Sequence, residues 1–159
     1  MYAEVITGRF KDRAEETATG PYALPAAAKV GLPVLDQAHV ALLVRLNAAH
    51  RALAAGDEAA ARLQLETLRS DMATHFDIEE QIMQVLGFGA MRDHVRRHAA
   101  SAAQLDEICR ASLARGALEV GDLDCCYQGL IDEILRGDVD LKSHFQSMGS
   151  TRPMQQRGA

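Results

Sequence analysis

Two pairs of ionisable side chains, each spaced four residues apart, stand out in the middle of the chain. His75 and Glu79 form the first pair, and His94 and His98 form the second. Residues four apart on an α-helix project from the same face and lie about 6 Å from one another. Each pair could therefore present two ligand atoms to one metal ion. Imidazoles combined with carboxylates suit iron, manganese or zinc.

The first pair falls where the sequence otherwise predicts a buried apolar face. His75 and Glu79 continue a stripe, spaced by three and four residues, that includes Leu68, Met72 and Ile82. Burying an unpaired carboxylate is costly even after the surroundings relax. A cation at this position would offset that cost.

The first predicted helix, which precedes both pairs in the chain, contributes His39 to the same interior. One histidine on an apolar face is more often a hydrogen-bonded core residue, and an isolated His–Glu pair is often a surface pair. Two pairs on successive inner faces, together with His39, favour a metal site in which a carboxylate bridges two metals. His50 lies on the face of His39 but about 16 Å further along the axis, so we expect it to be an ordinary residue near the end of the bundle.

Four amphipathic patterns must position these residues, and no strand-like alternation competes with them. The helices are predicted over residues 36–54, 57–86, 90–115 and from 121 or 122 to 148. Gly87 and Gly116 are expected to end the second and third helices, and Asp122 to cap the fourth. Short connections predict an all-α, up-down-up-down antiparallel four-helix bundle.

The ends of the chain differ in composition from this central part. Residues 1–28 are mixed and polar, and are predicted to form a loosely packed N-terminal arm. The bundle is expected over residues 29–149, and the tail over 150–159 is expected to be disordered.

Composition limits the class of partner. The 159 residues are enough for one domain, and the net charge of −5 argues against nucleic acid or an anionic membrane as partner. We find neither an apolar run of membrane-spanning length nor a signal peptide. Three cysteines, two of them adjacent, indicate reduced thiols and a cytoplasmic location.

Three segments together are similar to the hemerythrin family over roughly residues 30–148. The stretch from Val30 to His39, with Asn47 beyond it, resembles the first-helix motif of the family. His75-Phe76-Asp77-Ile78-Glu79-Glu80 resembles its HFxxEE segment, and His94-Val95-Arg96-Arg97-His98 resembles its HxxxH pair. The second and third segments are the more specific.

The resemblance implies a non-haem di-iron centre, oxo- or hydroxo-bridged, that binds dioxygen reversibly. By family roles, His39 and His75 would ligate one iron and His94 and His98 the other. Glu79 would bridge the two iron ions.

The fourth helix departs from the family pattern, which has a histidine followed five residues later by an aspartate. At 100° per residue, Asp138 and His144 flank the apolar stripe of Leu141 and Phe145, which continues to Met148, whereas Asp140 points towards solvent. The hypothesis is that Asp138 supplies the second carboxylate and His144 the fifth histidine. Asp140 stays open as an alternative ligand, and so does a purely local role for Asp138 and His144. The usual early Trp is also missing, and Ala38 replaces a glutamine.

The histidine-rich ligand set favours binding of dioxygen over turnover, so we expect storage, delivery or sensing of oxygen rather than an enzyme. A dry pocket is predicted from Phe76, Ile134, Leu135 and Leu141. The alternatives are a di-iron oxidase, peroxidase or nitric-oxide-handling enzyme, a metal-dependent signalling module, and a helical bundle without metal. A signalling protein or a second copy of the chain stays open as a partner.

Overall fold

The computed structural model describes residues 20–150, with side chains up to Met148. The first nineteen residues of the predicted arm, and all of the predicted tail except Ser150, lie outside the described residues. A short 3-10 helix at Ala26–Ala28 precedes the bundle.

The described residues form the four-helix bundle that the periodicity predicts. Its first three helices are α1 (Pro33–Ala54), α2 (Glu58–Leu86) and α3 (Met91–Arg115). The fourth consists of α4 (Val120–Glu133), a π-helical segment (Ile134–Asp138) and α5 (Val139–Ser150). α1 packs on α2 and α4, and α3 packs on the same two helices, which closes the bundle.

Local signals explain most of the helix ends. The Asp57 carboxylate accepts a hydrogen bond from the Ala60 backbone N–H at 2.9 Å and caps α2. Gly87 (φ 63°) ends α2 in the left-handed conformation that glycine adopts without strain. The predicted cap of the fourth helix is corrected: Glu119 is the N-cap residue, and Asp122 completes a capping box by accepting the Glu119 backbone N–H at 2.8 Å.

The π-helical segment changes which residues of the fourth helix face inward. Bonding from i to i+5 rotates the chain beyond it relative to a continuous α-helix, in which each residue advances by about 100°. Asp138 is fully buried as a result, although the uniform helical period placed it to one side of the apolar stripe. Phe145 (41% exposed) and Met148 (47% exposed) were predicted on the inner face but are not buried. Phe145 shares the direction of Leu141, so its exposure has another cause: α5 runs past the end of α2, where His144 contacts the Leu86 carbonyl oxygen.

Two apolar clusters occupy the interior of the bundle and leave a polar layer between them. The larger cluster lies towards the α1–α2 connection and includes Leu46, Leu65 and Leu123. The smaller one lies towards the α2–α3 connection and includes Leu35 and Met83. The candidate ligands come from chain positions between these clusters on all four helices, so apolar side chains separate them from both ends of the bundle.

The described part of the predicted arm packs closely on the bundle. Tyr22 is 4% exposed, and its hydroxyl donates to Asp124 Oδ1 at 2.8 Å. The Asn47 side chain accepts from the Tyr22 backbone N–H at 3.0 Å and donates to the Tyr22 carbonyl at 2.8 Å. The amide of Asn47, on α1, thus replaces the hydrogen bonds that a strand or helix would otherwise give this segment.

We expect Asn47→Ala to lower the free energy of unfolding by about 1–3 kcal/mol, because the buried backbone groups of Tyr22 lose both partners. Urea unfolding followed by circular dichroism measures the change. Gln37→Ala, at an exposed position of the same helix, should stay within about 0.5 kcal/mol of the parent. Equal stability of the two variants would contradict this account of the N-terminal segment.

Candidate metal centre

Seven side chains from the four helices converge in the polar layer and form two groups of ligand atoms. Within each group, the ligand atoms lie within 4.8 Å of one another, and all seven residues are buried. The first group is His39, His75, Glu79 and Asp138, and the second is Glu79, His94, His98 and Glu133. Glu79 belongs to both groups.

The two oxygens of Glu79 face different pairs of imidazoles. Oε1 lies 3.8 Å from His39 Nε2 and 3.4 Å from His75 Nε2. Oε2 lies 3.2 Å from His94 Nε2 and 2.9 Å from His98 Nε2. Each oxygen can therefore serve one metal ion, which is how a carboxylate bridges two cations.

The spacing between imidazoles also suits a metal. His39 Nε2 and His75 Nε2 lie 3.1 Å apart. Two nitrogens at about 2.1 Å from one metal, with a right angle between them, would be roughly 3 Å apart. The rings are therefore arranged as adjacent ligands of a single ion.

Asp138 enters the centre from the π-helical segment. Its Oδ2 lies 3.0 Å from His39 Nε2, and its Oδ1 lies 3.6 Å from His94 Nε2. It thus spans the two groups on the side opposite the α2 helix that carries Glu79. The structure brings Asp138 to the centre and leaves Asp140, the alternative ligand, exposed.

Glu133 is a candidate ligand that the sequence analysis missed. It is 4% exposed, and its Oε1 lies 3.7 Å from His98 Nε2. Glu133 precedes Asp138 by five residues, which is the family's own spacing of histidine and aspartate, with glutamate replacing the histidine. Allowing a carboxylate at the histidine position would have found it.

The π-helical segment explains why residues five apart can share one site. Its i to i+5 bonding aligns residues at that spacing, whereas an α-helix would turn them well apart. Gly137 allows the close approach: a Cβ there would lie 2.9 Å from Glu133 Oε1 and 3.0 Å from His94 Cε1. The segment therefore delivers Glu133 and Asp138 together.

His144 is not part of either group, so the structure does not bring it to the position of a fifth histidine. Its Nε2 lies 3.1 Å from the Leu86 carbonyl oxygen, to which an Nε2–H donates, and its ring packs edge-on against Phe88. The uniform helical angle misplaced His144 because the π-helical segment turns the following residues. His144 instead ties the end of α2 to α5.

Of the four residues predicted to line a dry pocket, three are buried and one is not. Ile134 and Leu141 are fully buried, and the Phe76 ring stacks on His98 with 4.0 Å between ring centroids. Leu135 is 37% exposed and belongs to the outer face, which corrects its predicted place in the pocket. It follows Ile134 by one residue and so cannot share its direction.

Burial and mutual charge set the protonation of the metal-free centre. Burial lowers the pKa of His75 to about 3, which keeps the ring neutral. Burial opposes ionisation of Glu79, but the nearby His75 and hydrogen bonding to the other imidazoles hold its pKa well below the usual value. Burial, followed by the charges of Asp138 and Glu79, raises the pKa of Glu133 to about 9. A metal would displace the proton from Glu133.

Unpaired buried atoms show that the ligand set fits cations. Within the described structure, both oxygens of Glu133 have no hydrogen-bond partner, and the oxygens of Asp138 and Glu79 Oε1 approach only imidazole nitrogens. Three ionised carboxylates carry three negative charges, which two divalent cations would offset. Buried charges without such compensation are strongly destabilising. The donor set thus fits two metal ions, the first between His39 and His75 and the second between His94 and His98.

We expect Asp138→Ala and Glu133→Ala each to weaken binding of Fe(II) by about 100-fold, since even partners outside the ligand set are worth 10–100-fold. His144→Ala should bind as much Fe(II) as the parent, because His144 lies outside both groups. Metal analysis after anaerobic loading measures this. Loss of iron in His144→Ala that matches the loss in Asp138→Ala would contradict the assignment.

The metal-free protein should lose stability as the pH rises from about 6.5 to about 9. Burial opposes ionisation of His39, but hydrogen bonds to Asp138 and Glu79, together with their charges, raise its pKa to about 9. Folding also raises the pKa of Glu133 to about 9. In this window the folded state holds protons that the unfolded chain has released, so unfolding becomes easier.

Urea unfolding in a chelator measures this pH dependence, and Glu133→Gln should reduce its slope without abolishing it, because an amide does not titrate whereas His39 still does. Stability that stays constant or increases across the window in the parent protein would contradict the protonation account.

No helix of the described residues has the length and apolar character needed to cross a bilayer.

Of three comparisons with known proteins, one identifies a family. A search of curated proteins and a search of solved structures give no match. The family model of the hemerythrin HHE cation binding domain matches residues 30–147, well over half of the chain. The chain therefore belongs to the hemerythrin HHE cation-binding domain family.

Proposed function

We propose that this protein binds dioxygen reversibly at a non-haem di-iron centre held by His39, His75, Glu79, His94, His98, Glu133 and Asp138. The observation that supports it is the pair of imidazole-rich groups that share the Glu79 carboxylate. When bound, the two ferrous ions supply the two electrons that dioxygen accepts. No protein general acid or base is required for this exchange.

The donor atoms support iron among the metals considered. Each group offers two imidazole nitrogens together with carboxylate oxygens, and neither includes a thiolate. Nitrogen and oxygen donors of this kind suit iron, manganese or zinc, and the redox role excludes zinc. Iron is the metal proposed, because it is the one that the resemblance to the family implies.

The surrounding side chains keep bulk water away from the centre. Ile134 and Leu141 are fully buried beside the π-helical segment, and the Phe76 ring covers one face of His98. Apolar surroundings that exclude water slow the escape of charged species and the entry of protons. Both effects favour release of dioxygen over its reduction.

Glu133 supports a second candidate, a di-iron oxidase or peroxidase. It puts an anionic ligand where the family's fourth-helix pattern has a neutral histidine. An added negative charge stabilises the higher oxidation state of a metal through Coulomb attraction. The same substitution would therefore favour transfer of electrons to dioxygen or peroxide over reversible binding.

The experiment loads the protein anaerobically with Fe(II), adds air and follows the visible spectrum, then removes the oxygen. Reversible binding predicts an oxygen-dependent absorption band that disappears under vacuum and returns with air. Immediate conversion to the ferric protein, with consumption of peroxide, would contradict it and support the enzyme.

Glu133→His restores the histidine of the family pattern and should increase the lifetime of the oxygen-dependent band at least about 10-fold if the charge of Glu133 promotes oxidation, a change in barrier of roughly 1.4 kcal/mol. Glu133→Gln, which removes the charge without adding an imidazole, is the control for charge alone. An unchanged or shorter lifetime in both variants would contradict the role given to Glu133.

A cytoplasmic location remains part of the proposal. The three cysteines are free thiols in the structure, which suits a reducing compartment.

A further inference from the structure

One of the four imidazoles in the centre contacts a carboxylate that does not belong to either group of ligand atoms. His98 Nδ1 lies 3.1 Å from Glu80 Oε1. The Nδ1 atoms of His39, His75 and His94 are buried, and none has a hydrogen-bond partner among the described residues. The two metal sites therefore differ in how their histidines are supported.

Glu80 reaches His98 from the surface of the bundle. It directly follows Glu79 on α2, but about 100° further round the helix, and it is absent from both groups of ligand atoms. Its side chain is 33% exposed. It lines a groove of about 380 Å³ between α2 and α3, together with Asp77, Phe76 and His98 itself. Glu80 is thus a neighbour of a ligand and not itself a candidate ligand.

The contact determines which nitrogen of His98 is available to a metal. A neutral imidazole carries one proton, and a carboxylate at Nδ1 keeps the proton there as a donor. Nε2, which lies 2.9 Å from Glu79 Oε2, is then the nitrogen that would give up its hydrogen bond to Glu79 and bind a metal. The Phe76 ring, stacked at 4.0 Å, limits rotation of the His98 ring. The orientation of the ring is therefore set before a metal arrives, and Glu80 holds the proton at Nδ1 when a metal takes Nε2.

We propose that Glu80 is a positioning residue that preorganises His98 and thereby tightens the second metal site, the one between His94 and His98. This proposal rests on the proposed di-iron function. Loss of such a partner of a metal-ligating histidine weakens metal binding by about 10–100-fold. The effect should fall on the second site, because no contact joins Glu80 to His39 or His75 in the described structure.

The test is anaerobic titration of the full chain with Fe(II) against a competing chelator. Glu80→Ala should bind one Fe(II) as the parent does and the second about 10–100-fold more weakly. Glu80→Gln keeps an acceptor oxygen and should recover most of the second-site affinity. Asp77→Ala removes an exposed acidic side chain from the same groove and should match the parent.

Second-site affinity in Glu80→Ala equal to that of the parent would overturn the proposal, as would an equal loss in Asp77→Ala, which would point to general surface charge. Helicity by circular dichroism confirms that each variant folds. A parent protein that fails to bind two Fe(II) ions would overturn the proposed function itself. A parent that binds both ions, beside an unaffected Glu80→Ala, would overturn only the role of Glu80.

Discussion

The shared carboxylate of Glu79 is the constraint around which the bundle is organised. It is fully buried, and its two oxygens face imidazole pairs from different helices. An anion in such a place is stable only with compensating positive charge, and the described residues offer none within bonding range except protons on histidines. Cations shared between helices would therefore stabilise the fold and create the site by the same interaction.

The sequence predicted what regular helical geometry determines. His75 with Glu79, and His94 with His98, could be paired because four residues return an α-helix to the same face. The ends of α2 and α3 followed from glycine positions. Prediction failed for His144 because the π-helical segment breaks the uniform angle, which the helical period of the sequence does not reveal. It failed for Phe145 because α5 runs past the end of α2, where the period continues but the core does not.

Other features depended on tertiary contacts that have no period. The sequence around Glu133 does not distinguish it from an ordinary charged surface residue, and only the fold places it beside His98. Its spacing of five residues from Asp138 is the one sequence feature that indicates a ligand. The packing of Tyr22 against Asn47 joins residues 25 positions apart in an irregular segment. The contact of Glu80 with His98 likewise depends on the register between α2 and α3.

Diffraction from a crystal of the iron-loaded protein, recorded at the iron absorption edge, tests the central claim most directly. The account predicts two anomalous peaks roughly 3.5–4 Å apart, one beside His39 and His75 and the other beside His94 and His98. Both should lie within bonding distance of Glu79. A single peak, or none in this layer of the bundle, would contradict a centre in which Glu79 bridges two metal ions.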